Sequence, residues 1–180
     1  MASIVITALR DGDGPSADSL GLAGLAREIA DRVGATVYAS CSLGEKDDLD
    51  GWVSALGKAG VDRIACARST ADAPISEEAI HAELARRLEP LLVLVPASAA
   101  ATATSLGEVL SAPVIEDATF EWERDACQVG ERVLGDEILV ATHHAAPPEG
   151  DLGGEDIDVL FFDVEDDGVA EPETEATQGS

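Results

Sequence analysis

The sequence predicts a three-layer α/β/α sandwich, in which a mostly parallel sheet carries an antiparallel C-terminal extension. Residues 91–95 (LLVLV) form a continuous apolar run, as strands covered on both faces do. Residues 3–9 (SIVITAL) form a second such run, rich in β-branched side chains. Strand patterns alternate with helical patterns as far as residue 115, which is typical of a parallel sheet with helices on both faces. We therefore expect the two apolar runs to lie side by side in the sheet.

Helices are predicted between successive strands because apolar residues recur there at helical spacing. The first helix has an apolar stripe from Leu22 to Val33 and ends at Gly34, a residue type common at helix C-termini. We expect Asp47 or Asp48 to cap the second helix, and Ser98 to cap the helix that follows residues 91–95. The strands of this half of the chain are predicted at residues 3–9, 36–41, 61–66, 91–95 and 114–115.

The pattern changes after residue 115, because short strand-like segments follow one another with no helix between them. Residues 118–123, 126–133 and 137–142 predict a meander added to the edge of the sheet. Together with the preceding part they complete one domain over residues 1–147. Residues 148–164 are interpreted as a docking segment, since 156–164 (DIDVLFFDV) is a further apolar strand. Residues 165–180 are acidic and lack apolar periodicity, so we expect a disordered tail.

The charge of the chain restricts its partners. The formal net charge is −25, and residues 149–180 carry 12 acidic residues and no lysine or arginine. This charge disfavours nucleic acid and anionic membrane surfaces as partners, since both are bound through clustered basic residues. Two explanations of the acidity stay open: solubility in a high-salt cytoplasm, or attraction to a basic protein. The sequence has no apolar run of membrane-spanning length and no signal-peptide pattern, so we expect a cytoplasmic protein without membrane insertion.

The three cysteines show neither a zinc spacing nor a disulfide framework. Cys41 and Cys66 each end an apolar run, and Cys127 lies far from both. An odd number of distant cysteines in an intracellular chain favours reduced thiols buried in the core.

Few residues of the sequence suggest catalysis. The phosphate-binding glycine motifs GxGxxG and GxxxxGK[ST] are absent, and so is the nucleophile motif GxSxG. His143 and His144 are adjacent, so in a strand they point to opposite faces and cannot easily share a metal ion. We expect these two residues and His81 to be surface or loop residues, and Trp52 and Trp122 to be packing residues. A non-catalytic role is therefore favoured over an enzyme, and no metal site is predicted.

The candidate ligand site lies where the central strands end. In open α/β sheets, ligands bind outside the carboxyl ends of the strands. The residues at these ends are small, which predicts an open crevice with backbone donors and one or two hydroxyl groups. Arg10 is the one nearby basic residue, and Asp11 and Asp13 beside it disfavour a pyrophosphate. The candidate cofactor-binding residues are Thr7, Ala8, Ser40, Pro96, Ala97 and Ser98.

Four stretches of the chain carry a resemblance to a known family. AGVDRIACA (59–67) covers the third strand, and RRLEPLLVLVPAS (86–98) covers a helix and the strand after it. SLGEVLSAPVIEDA (105–118) follows, and ILVATHH (138–144) closes the pattern. Together they resemble the N-terminal domain of the electron transfer flavoprotein alpha subunit over residues 3–147. The resemblance implies an adenine-nucleotide-hydrolase-like fold and a role as a subunit or adaptor in an electron-transfer complex. It also implies a protein partner, namely a flavin-bearing electron transfer subunit.

The sequence departs from this family in two respects. The family has a Gly-Lys or Gly-Arg pair where residues 99–104 read AAATAT, and it continues into a C-terminal FAD domain where this chain has an acidic tail. We therefore expect no cofactor on the chain alone, and FAD or AMP only in complex with a partner chain. The alternative function is a small adenine-nucleotide-binding or stress-type module. A small-molecule enzyme is the least favoured of the three hypotheses.

Overall fold

A computed structural model describes residues 2–12, 14–42, 48–69, 77–135, 137–150, 152 and 157–164. Within these ranges, the chain forms α-helices and β-strands joined by short connections, with a single 3-10 helix at Ala97–Ala99. The helices are α1 (Ala17–Val33), α2 (Leu49–Lys58), α3 (Glu77–Leu88) and α4 (Ala100–Leu110). The strands are β1 (Ser3–Thr7), β2 (Arg10–Asp11), β3 (Gly14–Pro15), β4 (Thr36–Ser42), β5 (Arg63–Ser69), β6 (Leu92–Pro96), β7 (Val114–Ile115), β8 (Phe120–Glu123), β9 (Ala126–Val129), β10 (Arg132–Val133), β11 (Leu139–His143) and β12 (Asp158–Val164).

The central sheet has seven strands in the order β12-β5-β4-β1-β6-β11-β7, and every neighbouring pair is parallel. The predicted adjacency of the two apolar runs is confirmed, because Val5 of β1 pairs with Val93 of β6. Both strands are fully buried along their length. The backbone polar groups of such strands are satisfied by the ladders on either side, which explains the lack of polar alternation in the sequence.

Helices cover both faces of this sheet, so the predicted three-layer α/β/α arrangement is confirmed. Helices α1 and α2 pack with Ile4 and Ile6 of β1 on one face, whereas α3 and α4 pack with Val5 on the other. The core is almost entirely aliphatic, and Trp52 is the one aromatic residue among the largest fully buried side chains of the described chain.

Local signals account for the ends of the first two helices. Ser16 caps α1 by accepting a hydrogen bond from the backbone N–H of Ser19, and Gly34 ends it at φ 75°. Asp48 caps α2, as predicted, by accepting from the N–H of Gly51. The prediction for Ser98 is wrong: this residue lies inside the 3-10 helix, and no side chain caps α4.

The predicted meander is only partly correct. Strands β8, β9 and β10 are antiparallel, as predicted, but they form a separate three-stranded sheet and do not extend the edge of the central sheet. The segment predicted as one strand, 126–133, forms the two paired strands β9 and β10. The last predicted segment of the meander, 137–142, instead yields β11, which enters the central sheet between β6 and β7 and runs parallel to both. Leu139, Val140 and Ala141 are fully buried there, and this burial stabilises the insertion.

The segment near residue 160 forms the opposite edge of the central sheet. Strand β12 pairs in parallel with β5 over its whole length, from Asp158 opposite Arg63 to Val164 opposite Ser69. The predicted acidic tail, 165–180, lies outside the described residues. Within the described ranges, every helix is too short or too polar to cross a membrane.

Candidate functional site

The chain reverses its winding between β1 and β6, the two central strands. The helix after β1 packs on one face of the sheet and the helix after β6 packs on the other. The chain therefore leaves the carboxyl ends of these paired strands toward opposite faces of the sheet, and such a switch point is where open α/β sheets bind ligands. The structure brings the predicted site residues to this edge. Thr7 pairs with Ser40, the N–H of Ala8 donates to the Ser40 carbonyl at 3.0 Å, and Pro96 ends β6.

The side chains at this edge differ in how far they reach solvent. Thr7, Ala8 and Ser40 are at most 2% exposed, and Pro96 is buried as well. Ala97 is half-buried and Ser98 is exposed. The prediction of an open crevice is therefore wrong for the four buried residues. Of the six candidate residues, only Ala97 and Ser98 are accessible to a molecule that binds at this edge.

A buried polar cluster lies beneath this edge and consists of Thr7, Ser40 and His81. The Ser40 Oγ lies 2.7 Å from His81 Nδ1 and 3.4 Å from the Ile6 carbonyl oxygen. A ring that carries its proton on Nδ1 satisfies both contacts, since the imidazole then donates to Ser40 and Ser40 donates to Ile6. The Thr7 Oγ1 is buried and has no hydrogen-bond partner among the described residues.

The position of His81 corrects the sequence-based expectation of a surface or loop residue. The side chain is 1% exposed, because α3 packs on the sheet and the His81 ring faces Ser40 of β4. Burial lowers the pKa of His81 to about 4. The imidazole is therefore neutral at pH 7 and belongs to the core beneath the candidate site.

Arg10, the basic residue expected beside the site, is held by contacts within the chain. Its guanidinium donates to the Ser42 carbonyl at 3.0 Å and lies 5.7 Å from the centre of the Trp52 ring. These contacts connect the hairpin of β2 and β3 to the end of β4. The contact with Ser42 uses one of the five N–H groups of this exposed guanidinium.

A second concave region, which we call the α1 cleft, lies between α1 and the three-stranded sheet. Its volume is about 350 Å³, which falls within the range of small-molecule pockets. Trp122 was predicted to be a packing residue, and it does pack against the core. His143 was predicted to be a surface or loop residue, but it is the half-buried last residue of β11. The alternation of Phe120 and Trp122 along one strand was the available signal that both project to one side. The lining residues are Leu25, Glu28, Ile29, Arg32, Phe120, Trp122 and His143.

Polar groups of the α1 cleft are fixed by contacts with its aromatic walls. The Arg32 guanidinium lies 4.4 Å from the centre of the Trp122 ring, and the rings of Phe120 and His143 meet edge to face at 5.1 Å. His143 Nδ1 lies 2.9 Å from the Ala118 carbonyl, which can only accept, so Nδ1 carries the proton. His144 makes a separate contact with Asp18 at 3.0 Å, so the adjacent histidines have different partners.

Comparison with known proteins yields no matching family model and no match among curated proteins.

Proposed function

We propose that the chain is a non-catalytic subunit or adaptor of an electron-transfer complex, related in role to the alpha subunit of electron transfer flavoproteins. In this proposal it binds a flavin-bearing partner chain through the switch-point edge of its sheet. The observation that carries the proposal is the burial of the candidate residues at this edge. Four of the six candidate residues are buried, and only Ala97 and Ser98 reach the surface.

The contacts beneath the edge favour a composite site over a cofactor site within the chain. Thr7 and Ala8 are covered by the fold, and Ser40 forms a hydrogen bond with His81. A pyrophosphate carries negative charge and is bound through cations or clustered backbone N–H groups. Arg10 alone does not neutralise a pyrophosphate, so in this proposal the partner supplies further positive charge, and we expect FAD or AMP to bind in the complex rather than to the chain alone.

Charge also favours a basic partner. The net charge of −25 produces a negative potential around the chain, which accelerates association with a positively charged surface and weakens as salt increases. Ala97 and Ser98 carry no charge, so they can lie at the centre of an interface without a buried unpaired ion.

The alternative function, a small adenine-nucleotide-binding or stress-type module, is favoured by one observation. The order β4-β1-β6 places a switch point at the centre of the sheet, where adenine nucleotides are bound in many α/β folds. The two functions differ in what the isolated chain binds.

Titration of the purified chain with FAD and with AMP separates them. The proposed subunit should be colourless and should bind neither nucleotide with micromolar affinity. Micromolar binding of AMP would favour the alternative module. A stoichiometric flavin band, or micromolar FAD binding by the chain alone, would refute the adaptor function.

The partner itself is tested by affinity purification of the tagged chain from its source cells, with the flavin absorbance measured per mole of chain. We expect a yellow complex. Ser98→Arg should reduce the recovered flavin about tenfold, which corresponds to about 1.4 kcal/mol. Ser54→Arg is the matched control, because Ser54 is also exposed but lies on α2. Equal recovery with both variants would place the interface elsewhere.

A further inference from the structure

Two buried cysteines face each other across neighbouring strands of the central sheet. Cys41 of β4 and Cys66 of β5 are register partners, and both are thiols that are no more than 1% exposed. Register partners in a parallel pair project to the same face of the sheet. Here that face is the one covered by α1 and α2, and both side chains belong to its core.

The backbone already holds this pair at a spacing that suits a disulfide bond. Neighbouring strands lie about 4.8 Å apart, and the Cα atoms of bonded cysteines are separated by about 4.4–6.8 Å. The Cβ atoms of a disulfide are about 3.8 Å apart, so bond formation requires a closing movement of about 1 Å. We expect the movement to strain the bond and to make it easier to reduce than an unstrained structural disulfide.

The two thiols differ in reactivity. A hydrogen bond with the Cys41 thiol lowers the pKa of Cys66 and outweighs burial, which raises it. Cys66 also lies closer to the edge of the sheet, since its other register partner is Phe161 of the edge strand β12. Cys66 is 1% exposed, so a small molecule reaches it through local opening of the edge strand β12, where Phe161 is 45% exposed. Cys66 is therefore the attacking thiol and Cys41 the resolving thiol.

We propose that Cys41 and Cys66 form a redox-reactive dithiol that low-molecular-weight disulfides oxidise to an intramolecular disulfide bond. In the first step the Cys66 thiolate attacks one sulfur of the small disulfide, giving a mixed disulfide and releasing one thiolate. The Cys41 thiolate then attacks the Cys66 sulfur and releases the second. The protein pair loses two electrons and two protons, and the small disulfide gains them as two thiols. This inference does not depend on the proposed function.

The test is incubation of the folded, full-length chain with glutathione disulfide, followed by counting of thiols after denaturation. We expect the count to fall from three to one, and dithiothreitol to restore it. Digestion with trypsin should then yield peptide 33–46 joined to peptide 64–68, because these peptides contain Cys41 and Cys66. Retention of all three thiols in the folded chain would overturn the proposal.

Single cysteine variants assign the steps. Cys127 is also buried, but it lies in β9 of the small sheet, so Cys127→Ala is the matched control and should still form the cross-link. Cys41→Ala should stop at the mixed disulfide on Cys66, and Phe161→Ala should accelerate that step. Peptide mapping of the original chain tests for the Cys41–Cys66 cross-link even where a variant fails to fold. Mixed disulfides without the joined peptides, or oxidation of Cys127 at the same rate, would show that the pair does not act as a dithiol.

Discussion

The buried imidazole of His81 should make the stability of the protein depend on pH. In the unfolded chain the pKa of a histidine is about 6.5, whereas burial lowers the pKa of His81 in the fold to about 4. The unfolded state therefore takes up a proton first as the pH falls. The stability contributed by the neutral imidazole is complete above about pH 6.5 and is lost as the pH falls toward 4.

The size of this loss follows from the two pKa values. At pH 5 the unfolded histidine is almost fully protonated and the folded one is almost fully neutral. Each pH unit between the two pKa values changes the free energy of unfolding by about 1.4 kcal/mol, so the loss between pH 8 and pH 5 is about 2 kcal/mol. The limit at pH 5 keeps most carboxylates ionised in both states.

The variant that tests this is His81→Asn, which removes the titrating group and keeps a hydrogen-bonding side chain near Ser40. Urea unfolding of both proteins between pH 8 and pH 5 should show the free energies converging by about 2 kcal/mol as the pH falls. Ser40→Ala is the matched control, since it alters the same cluster but retains the imidazole and should keep the pH dependence of the original chain. Curves of the original chain and His81→Asn that stay parallel within about 0.5 kcal/mol would refute the reasoning.

Three further predictions concern packing, polar burial and charge. Gly21→Ala should lower the free energy of unfolding by about 1–3 kcal/mol, because the added Cβ would overlap the Ala145 carbonyl. Gly14→Ala is the control and should change this free energy by less than about 0.5 kcal/mol, since its Cβ would meet no described atom within 4 Å. Equal stabilities of the two variants in urea would contradict this. Thr7→Val should raise the free energy of unfolding by up to about 1 kcal/mol, because it removes a buried hydroxyl that has no partner in the described part of the chain, and a lower free energy in the same assay would contradict this. Molar KCl should raise the melting temperature by screening the net charge of −25, and an unchanged value would favour a basic partner as the reason for the acidity.

The layers of the fold could be predicted because a strand that is buried on both faces has a recognisable local sequence. The runs around Val5 and Val93 contain no polar alternation, and a strand needs none when helices cover both of its faces. Their adjacency followed from the same feature, since the most apolar strands lie at the centre of a sheet. The caps at Asp48 and Gly34 were equally local, because each depends on one side chain or one backbone angle.

The position of the candidate site could be predicted from the sequence, but the burial of its residues could not. Thr7 and Ser40 meet at the carboxyl edge, as strand order requires, yet α3 closes over both. The sequence of α3 shows one apolar stripe through Ile80 and Leu84, and His81 lies beside that stripe rather than within it. The ring nevertheless faces the sheet, where its Nδ1 lies 2.7 Å from the Ser40 Oγ of β4, a tertiary contact that no spacing within α3 records. Burial of His81 was therefore not predictable from its own helix.

The position of β11 shows how strand pairing can be missed when strand formation is predicted well. Residues 139–141 form a continuous apolar run, which is the same feature that identified the central strands. The predicted segments 118–123, 126–133 and 137–142 have only short connections between them, so antiparallel pairing of the last segment with its predecessor was the local expectation. The alternative, parallel pairing, requires a crossover, and here the three-stranded sheet provides it in place of a helix.

Burial decides between the two pairings, because a hairpin would leave Leu139 and Val140 partly in water. Insertion between β6 and β7 removes both from solvent, and each fully buried aliphatic side chain contributes about 1.5–3 kcal/mol.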